Sequence, residues 1–139
     1  MLLRLYDGTF VLPTGNVEDG RSPEEAAQSV LAGGPASVLP VQRQVAVDRV
    51  QMRRRQVVTH VVVTEPLTGT EVRALTYRDP RADVQVLPVT RALSVLPRKA
   101  QLRAILGLQA AAIGAMFHLQ DGHIARVEDV RPHDALPYV

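Results

Sequence analysis

The chain has no cysteine and no tryptophan, and only three tyrosines and two phenylalanines among its 139 residues. Without cysteine there is no disulfide framework and no thiolate metal site, which is compatible with a reducing compartment. So few aromatic rings leave little on which the bases of a nucleic acid would stack. No apolar run reaches the roughly 18 residues of a membrane-spanning helix, because charges or turn residues interrupt every candidate. The first residues do not show the charged segment, apolar core and small-residue cleavage site of a secretory signal. These absences set the expectation of a cytoplasmic protein that does not enter the membrane.

What remains is 46% hydrophobic with a net charge of +2, a composition that favours one folded domain with a real core over disorder. Lys99 is the single lysine, so arginine supplies 15 of the 16 basic residues. With abundant Ala, Val, Leu and Pro, that imbalance matches a GC-rich coding bias and is discounted as evidence for nucleic-acid binding. The one dense basic cluster, Arg53-Arg54-Arg55, is expected at a solvated hairpin tip, so nucleic acid is not an expected partner.

Local signals outline a mixed order of strands and helices. Leu2 to Leu5 and Phe10 to Leu12 read as strands joined by a turn at Tyr6-Asp7-Gly8-Thr9. Pro13 ends the second strand and opens a loop through Gly20. Ser22, Pro23 and Glu25 then form the pattern of a capped helix start with a capping box, and Gly33-Gly34-Pro35 stops that helix after about three turns. Val45 to Met52 and the valine-rich Gln56 to Thr64 read as strands, the second covered on both faces. Glu71 to Tyr77 and Asp83 to Val86 read as further strands. Arg91 to Leu96 is expected as a short helix capped by Thr90, and Arg98 to Phe117 as the longest helix, weakened at Gly107 and Gly114. His123 to Val127 reads as a last strand.

The stretch from Leu12 to Ala27, reading LPTGNVEDGRSPEEAA, resembles the loop and first helix of the Nudix box. Val84 to Pro97 is similar to the late strand and small helix of the same family. The resemblance implies a mixed β-sheet sandwiched between helices, an α/β (α+β) fold. Residues 1–119 would form a Nudix-like domain lacking the family's usual first strand, and 120–139 a tail that packs on the sheet or on a partner subunit. The family pattern is a glycine, five residues, Glu, seven residues, Arg-Glu, an aliphatic residue, one residue, Glu-Glu, one residue, Gly. Laid from Gly15, it puts its first Glu on Arg21, Arg-Glu on Ser29-Val30, the aliphatic residue on Leu31, Glu-Glu on Gly33-Gly34 and the last Gly on Ala36.

That substitution decides the functional expectation. Glutamates four apart share a helical face and converge on magnesium or manganese, which polarise a pyrophosphate and activate the attacking water. Here the carboxylates are replaced, so the expectation is a Nudix-fold protein without standard metal-dependent hydrolysis, with no cofactor and no metal or catalytic residue assigned. It would act as a binder of a nucleotide-type small molecule or as an interaction module, and as a homodimer. The candidate binding residues are Gly15, Glu18, Gly20 and Arg21, with Arg21 offering a cation to a phosphate. The alternative is an active hydrolase of a nucleoside diphosphate derivative with relocated acids, Glu18, Glu65 or Glu71, and Mg or Mn. Glu24 and Glu25 are read as helix-capping acids, and His60 as a core or sheet histidine. His118, His123 and His133 have spacings that match no helical metal pair.

Overall fold

A computed structural model describes residues 1–31, 39–76 and 81–131. The arrangement is mixed α+β, as the sequence leads one to expect, with two sheets and four helices among the described residues. Strand β1 (Leu2–Tyr6) turns back into β2 (Thr9–Val11) through Asp7 and Gly8, both with positive φ, the conformation that a two-residue hairpin turn demands. On its other side β1 pairs antiparallel with β5 (Ala82–Val86), giving a three-stranded sheet of order β2-β1-β5.

The second sheet has four strands. β3 (Val41–Gln51) and β4 (Gln56–Thr64) form a hairpin whose tip is the exposed Arg53-Arg54-Arg55. β6 (Ala115–Gln120) lies parallel to β3, and β7 (His123–Asp129) returns antiparallel along β6, for an order β4-β3-β6-β7. Residues expected as a tail thus extend this sheet, with an Asp121-Gly122 turn of positive φ at the corner. β4 is half-buried along most of its length, so it is covered less completely than its valine content implies.

Helix α4 (Arg98–Ile113) joins the two sheets. Near its start, Ala104 packs with Leu3, Ala92 and Leu96 over the small sheet, while Leu106 and Ala110 pack with Val45, Ala46, Phe117 and Leu119 over the large one. Gly107 lets the helix approach closely: a Cβ there would lie 3.1 Å from Val61 and 3.2 Å from Val45 side-chain atoms. The helix ends earlier than its apolar spacing predicts. Gly114 adopts the left-handed conformation of a C-cap (φ 67), and Met116 and Phe117 belong to β6. What reads as one helical stripe is a helix followed by a strand, because Phe117 faces the same core from either element.

Three other expectations are corrected. Helix α1 (Pro23–Gln28) has six residues and not three turns. Glu71 to Tyr77 does not form a strand where it is described; α2 (Gly69–Arg73) stands there, held by a capping box in which Thr68 and Glu71 exchange both bonds. A capping box is a local signal, and it outweighs the strand reading of this segment. Helix α3 (Val89–Val95) starts one residue before Thr90, after Pro88, with no side-chain cap among the described residues. The expected stop at Gly33-Gly34-Pro35 and the turn at Asp79-Pro80 lie outside the described residues.

Candidate functional site

The site begins with the loop after β2. Its backbone makes a turn in which the Arg21 N–H donates to the Glu18 carbonyl at 3.1 Å, and Gly20 supplies the positive φ (82) at the third position. The Ser22 hydroxyl then accepts from the Glu25 N–H at 3.1 Å and starts α1. The return bond of a capping box is not formed among the described residues, so Glu25 remains exposed. Gly15 lies against the end of α1, where a Cβ would stand 3.2 Å from Val30.

Arg21 is turned toward its own helix. Its Nη2 donates to the Glu25 carbonyl at 2.8 Å and to Ser29 Oγ at 2.7 Å. The guanidinium thereby satisfies a carbonyl of the last turn, a favourable place for a cation on a helix dipole. Leu39 N–H takes the Gln28 carbonyl at 3.2 Å. External donors thus close α1 within two turns, and Leu31 follows as a buried anchor.

Helix α1 packs chiefly on β3 and β4. Strand alternation shows which face it covers. Val61 meets Gly107 of α4, whereas its neighbour His60 feels the charge of Glu24 in α1, so the two helices lie on opposite faces. A bulge at Val45 keeps Val45 and Ala46 both in the α4-side core and sets Gln44 and Val47 on the α1 side.

The α1 side of the sheet carries several hydrogen-bonding groups. In one register row, His60 of β4 lies opposite Val47, Val47 lies beside His118, and His118 lies opposite Arg126. Gln44 Nε2 is 2.6 Å from His60 Nδ1, and Arg49, two residues beyond Val47, adds a cation to the same face. The Gln44 amide donates to Nδ1, which fixes the His60 hydrogen on Nε2. Burial and the Arg49 charge lower the His60 pKa from its ordinary value, and Glu24 opposes them. At the far end, His118 Nε2 is 2.9 Å from Glu128 Oε2 and 2.9 Å from Arg126 Nη2. The hydrogen bond from His118 holds the Glu128 carboxyl below its ordinary range.

The opposite face is structural. Asp48, 2% exposed, accepts from Arg103 Nε of α4 at 3.2 Å and from the Gly122 N–H at 3.1 Å. An open depression of about 420 Å³ beside the small sheet is lined by Tyr6, Asp7 and Arg81, with the Arg4 and Arg81 guanidinium groups over the Tyr6 ring.

The four residues expected to bind a ligand are therefore brought together in one loop, with Glu18, Gly20 and Arg21 in a single turn. The relocated acids are not gathered. Glu71 is engaged with Thr68, Glu65 is exposed after β4, and among the described residues no three His, Asp or Glu side chains converge as metal ligands. His123 is exposed at the start of β7, and His133 lies outside the described residues. Gln44, Arg49 and the placing of His60 and His118 in one register row were missed from sequence. Alternation from Val47 to Arg49 places both on one face, but neither the bulge nor the parallel pairing of β3 with β6 leaves a local signal. Among the described residues, no helix is long and apolar enough to cross a membrane. No family profile, curated protein or solved structure matches this chain.

Proposed function

We propose that the chain is a Nudix-fold protein that binds a nucleotide-type small molecule on the α1 side of the four-stranded sheet, without standard metal-dependent hydrolysis, and that it self-associates as a homodimer. The observation that carries the reading is the polar row itself. Gln44, Arg49, His60 and His118 share a half-buried sheet face next to a short helix, which gathers hydrogen-bond donors, an acceptor and a cation on one surface. Arginines offer planar donors to phosphate, and the His60 Nε2 hydrogen offers a neutral donor to a base or ribose.

The loop adds support. Arg21 and Ser29 are the positions on which the box pattern puts a Glu and an Arg, eight residues apart, and here they are joined by a 2.7 Å hydrogen bond. In this chain the contact fastens the loop to the helix that follows it. Calorimetric titration with a panel of nucleoside diphosphate derivatives, with and without manganese, tests the proposal. Binding that needs no metal and is weakened about tenfold or more by Arg49→Ala, the loss of one charge-assisted contact, is expected. No binding by any member overturns it. Metal-dependent release of phosphate or nucleotide, abolished by Glu18→Gln with the fold intact, would establish the hydrolase instead.

A further inference from the structure

The outer edge of the four-stranded sheet is β7, and no strand among the described residues pairs with that edge. Its side chains are exposed to an extent unusual for a strand: Ile124 is 48% and Val127 54% accessible. An open edge with apolar side chains is a template for another strand. Chain geometry shows which backbone groups face outward. The Val130 N–H donates inward to the Gly114 carbonyl at 3.0 Å. Antiparallel alternation therefore turns the Val127 and Asp129 backbone groups away from β6. The next outward group, the Arg131 N–H, is already taken by Asp129 Oδ1 at 3.0 Å.

The charges on β7 are arranged in a self-complementary way. Arg126 and Glu128 lie opposite His118 and Met116, two residues apart on the α1 side of the sheet. Both reach the same atom, His118 Nε2. One ring nitrogen either donates to the carboxylate or accepts from the guanidinium, so it serves one of the two charged groups at a time. Each chain therefore presents a cation and an anion on one strand face with a single shared partner.

We propose that β7 pairs antiparallel with β7 of a second copy about a two-fold axis through Val127. In that register the two Val127 residues exchange their outward N–H and C=O groups. Arg126 stands opposite the partner's Glu128, and Glu128 opposite the partner's Arg126. A two-fold axis perpendicular to the sheet keeps both ion pairs on the same face, and the interface is isologous. Among the other described edge strands, β4 has no Asp, Glu, Lys or Arg, β2 has three uncharged residues, and β5 has one charge, Asp83. Opposite charges spaced to pair with themselves occur on β7. The proposal rests on the homodimer reading above and gives it a surface and a register.

Sedimentation velocity of the full chain over a range of concentrations tests it. The wild type is expected to form a dimer. Arg126→Glu and Glu128→Arg, each placing like charges opposite one another twice, are expected to weaken self-association about tenfold or more. An equimolar mixture of the two variants is expected to recover a heterodimer, because each then supplies what the other lacks. Val127→Pro, which removes an outward N–H, is a second probe, with circular dichroism verifying that each variant folds. A wild type that stays monomeric overturns both this proposal and the homodimer reading. A dimer indifferent to the charge reversals, or variants that fail to recover on mixing, overturns the β7 register and leaves the homodimer reading standing on another surface.

Discussion

Among the described residues, Asp48 is a buried carboxylate that ties separate elements together. It sits on β3 at 2% exposure and joins three elements: its own strand, α4 through Arg103, and the β6–β7 turn through the Gly122 N–H. The turn is also held from the other side, since Asp121 N–H donates to the Arg49 carbonyl at 3.0 Å and the Gln51 N–H donates to Asp121 Oδ1 at 3.2 Å. Asp48→Ala removes two hydrogen bonds to a charged acceptor, each contributing about 1.5–3 kcal/mol. It also leaves the partly buried Gly122 N–H without a partner. Against this, the Arg103 side chain is 23% accessible and can turn to water, so its share is discounted.

A net loss of about 3 kcal/mol follows, at the low end of the range for removing one member of a buried ion pair. Urea denaturation followed by far-ultraviolet circular dichroism reads it as a lower midpoint with an unchanged slope. Asp48→Asn keeps an oxygen for Gly122 and loses the charge, so it is expected to cost roughly half as much. Arg103→Met alone leaves a buried carboxylate with one partner, and the double variant Asp48→Asn with Arg103→Met is expected to be less destabilised than the sum of the singles. An Asp48→Ala protein within about 0.5 kcal/mol of wild type, the range of ordinary surface substitutions, would refute the reasoning.

Two further outcomes follow from single positions. Gly107→Ala removes a helix-interior glycine, a gain of about 1 kcal/mol, but its Cβ would press on Val61 and Val45 at 3.1 and 3.2 Å. The single variant is expected to be neutral or destabilised, and Gly107→Ala in a Val61→Ala background to cost less than in the wild type; equal costs in the two backgrounds would show that the close approach is unimportant. His60 has a folded pKa below its ordinary 6.5, so the unfolded chain binds the extra proton first as pH falls. Its contribution to stability is therefore complete above about 6.5 and is lost as pH falls from there toward the folded pKa. His60→Gln should flatten the stability-versus-pH curve in that window, as measured by denaturation at a series of pH values, and an unchanged slope would discount the burial argument.

The readable parts of the chain were those governed by short-range rules. The Asp7-Gly8 turn, the Ser22 cap with Pro23, and the β-branched run of β4 are each specified within a few residues, and each forms the expected element. Among the described residues, though, the Ser22 box lacks its return bond, and β4 is only half-buried. The misread segments had competing local rules. At 68–73 the Thr68–Glu71 box overrides a strand pattern, and at 114–117 the left-handed Gly114 divides an apolar stripe between helix and strand. The polar row was illegible for a different reason. Bringing His118 beside Val47 depends on β3 lying parallel to β6, a pairing of residues 71 apart along the chain (118 − 47) that no spacing announces.

Arg21 connects these two scales. As a residue in a box it reads as a carboxylate lost and a cation offered to a ligand. In the fold, its guanidinium takes a carbonyl and the Ser29 hydroxyl of the helix that follows. Both bonds use Nη2 and draw the guanidinium along α1, whereas Arg49 stands on the face that carries His60 and Gln44. Arg21→Ala is therefore expected to act mainly on stability, by about 1 kcal/mol through the lost helix closure, and Arg49→Ala mainly on ligand affinity. Thermal denaturation and titration of the same two variants separate the roles. If Arg21→Ala leaves stability unchanged and abolishes binding, the guanidinium belongs to the ligand and the loop, not the sheet, is the recognition element.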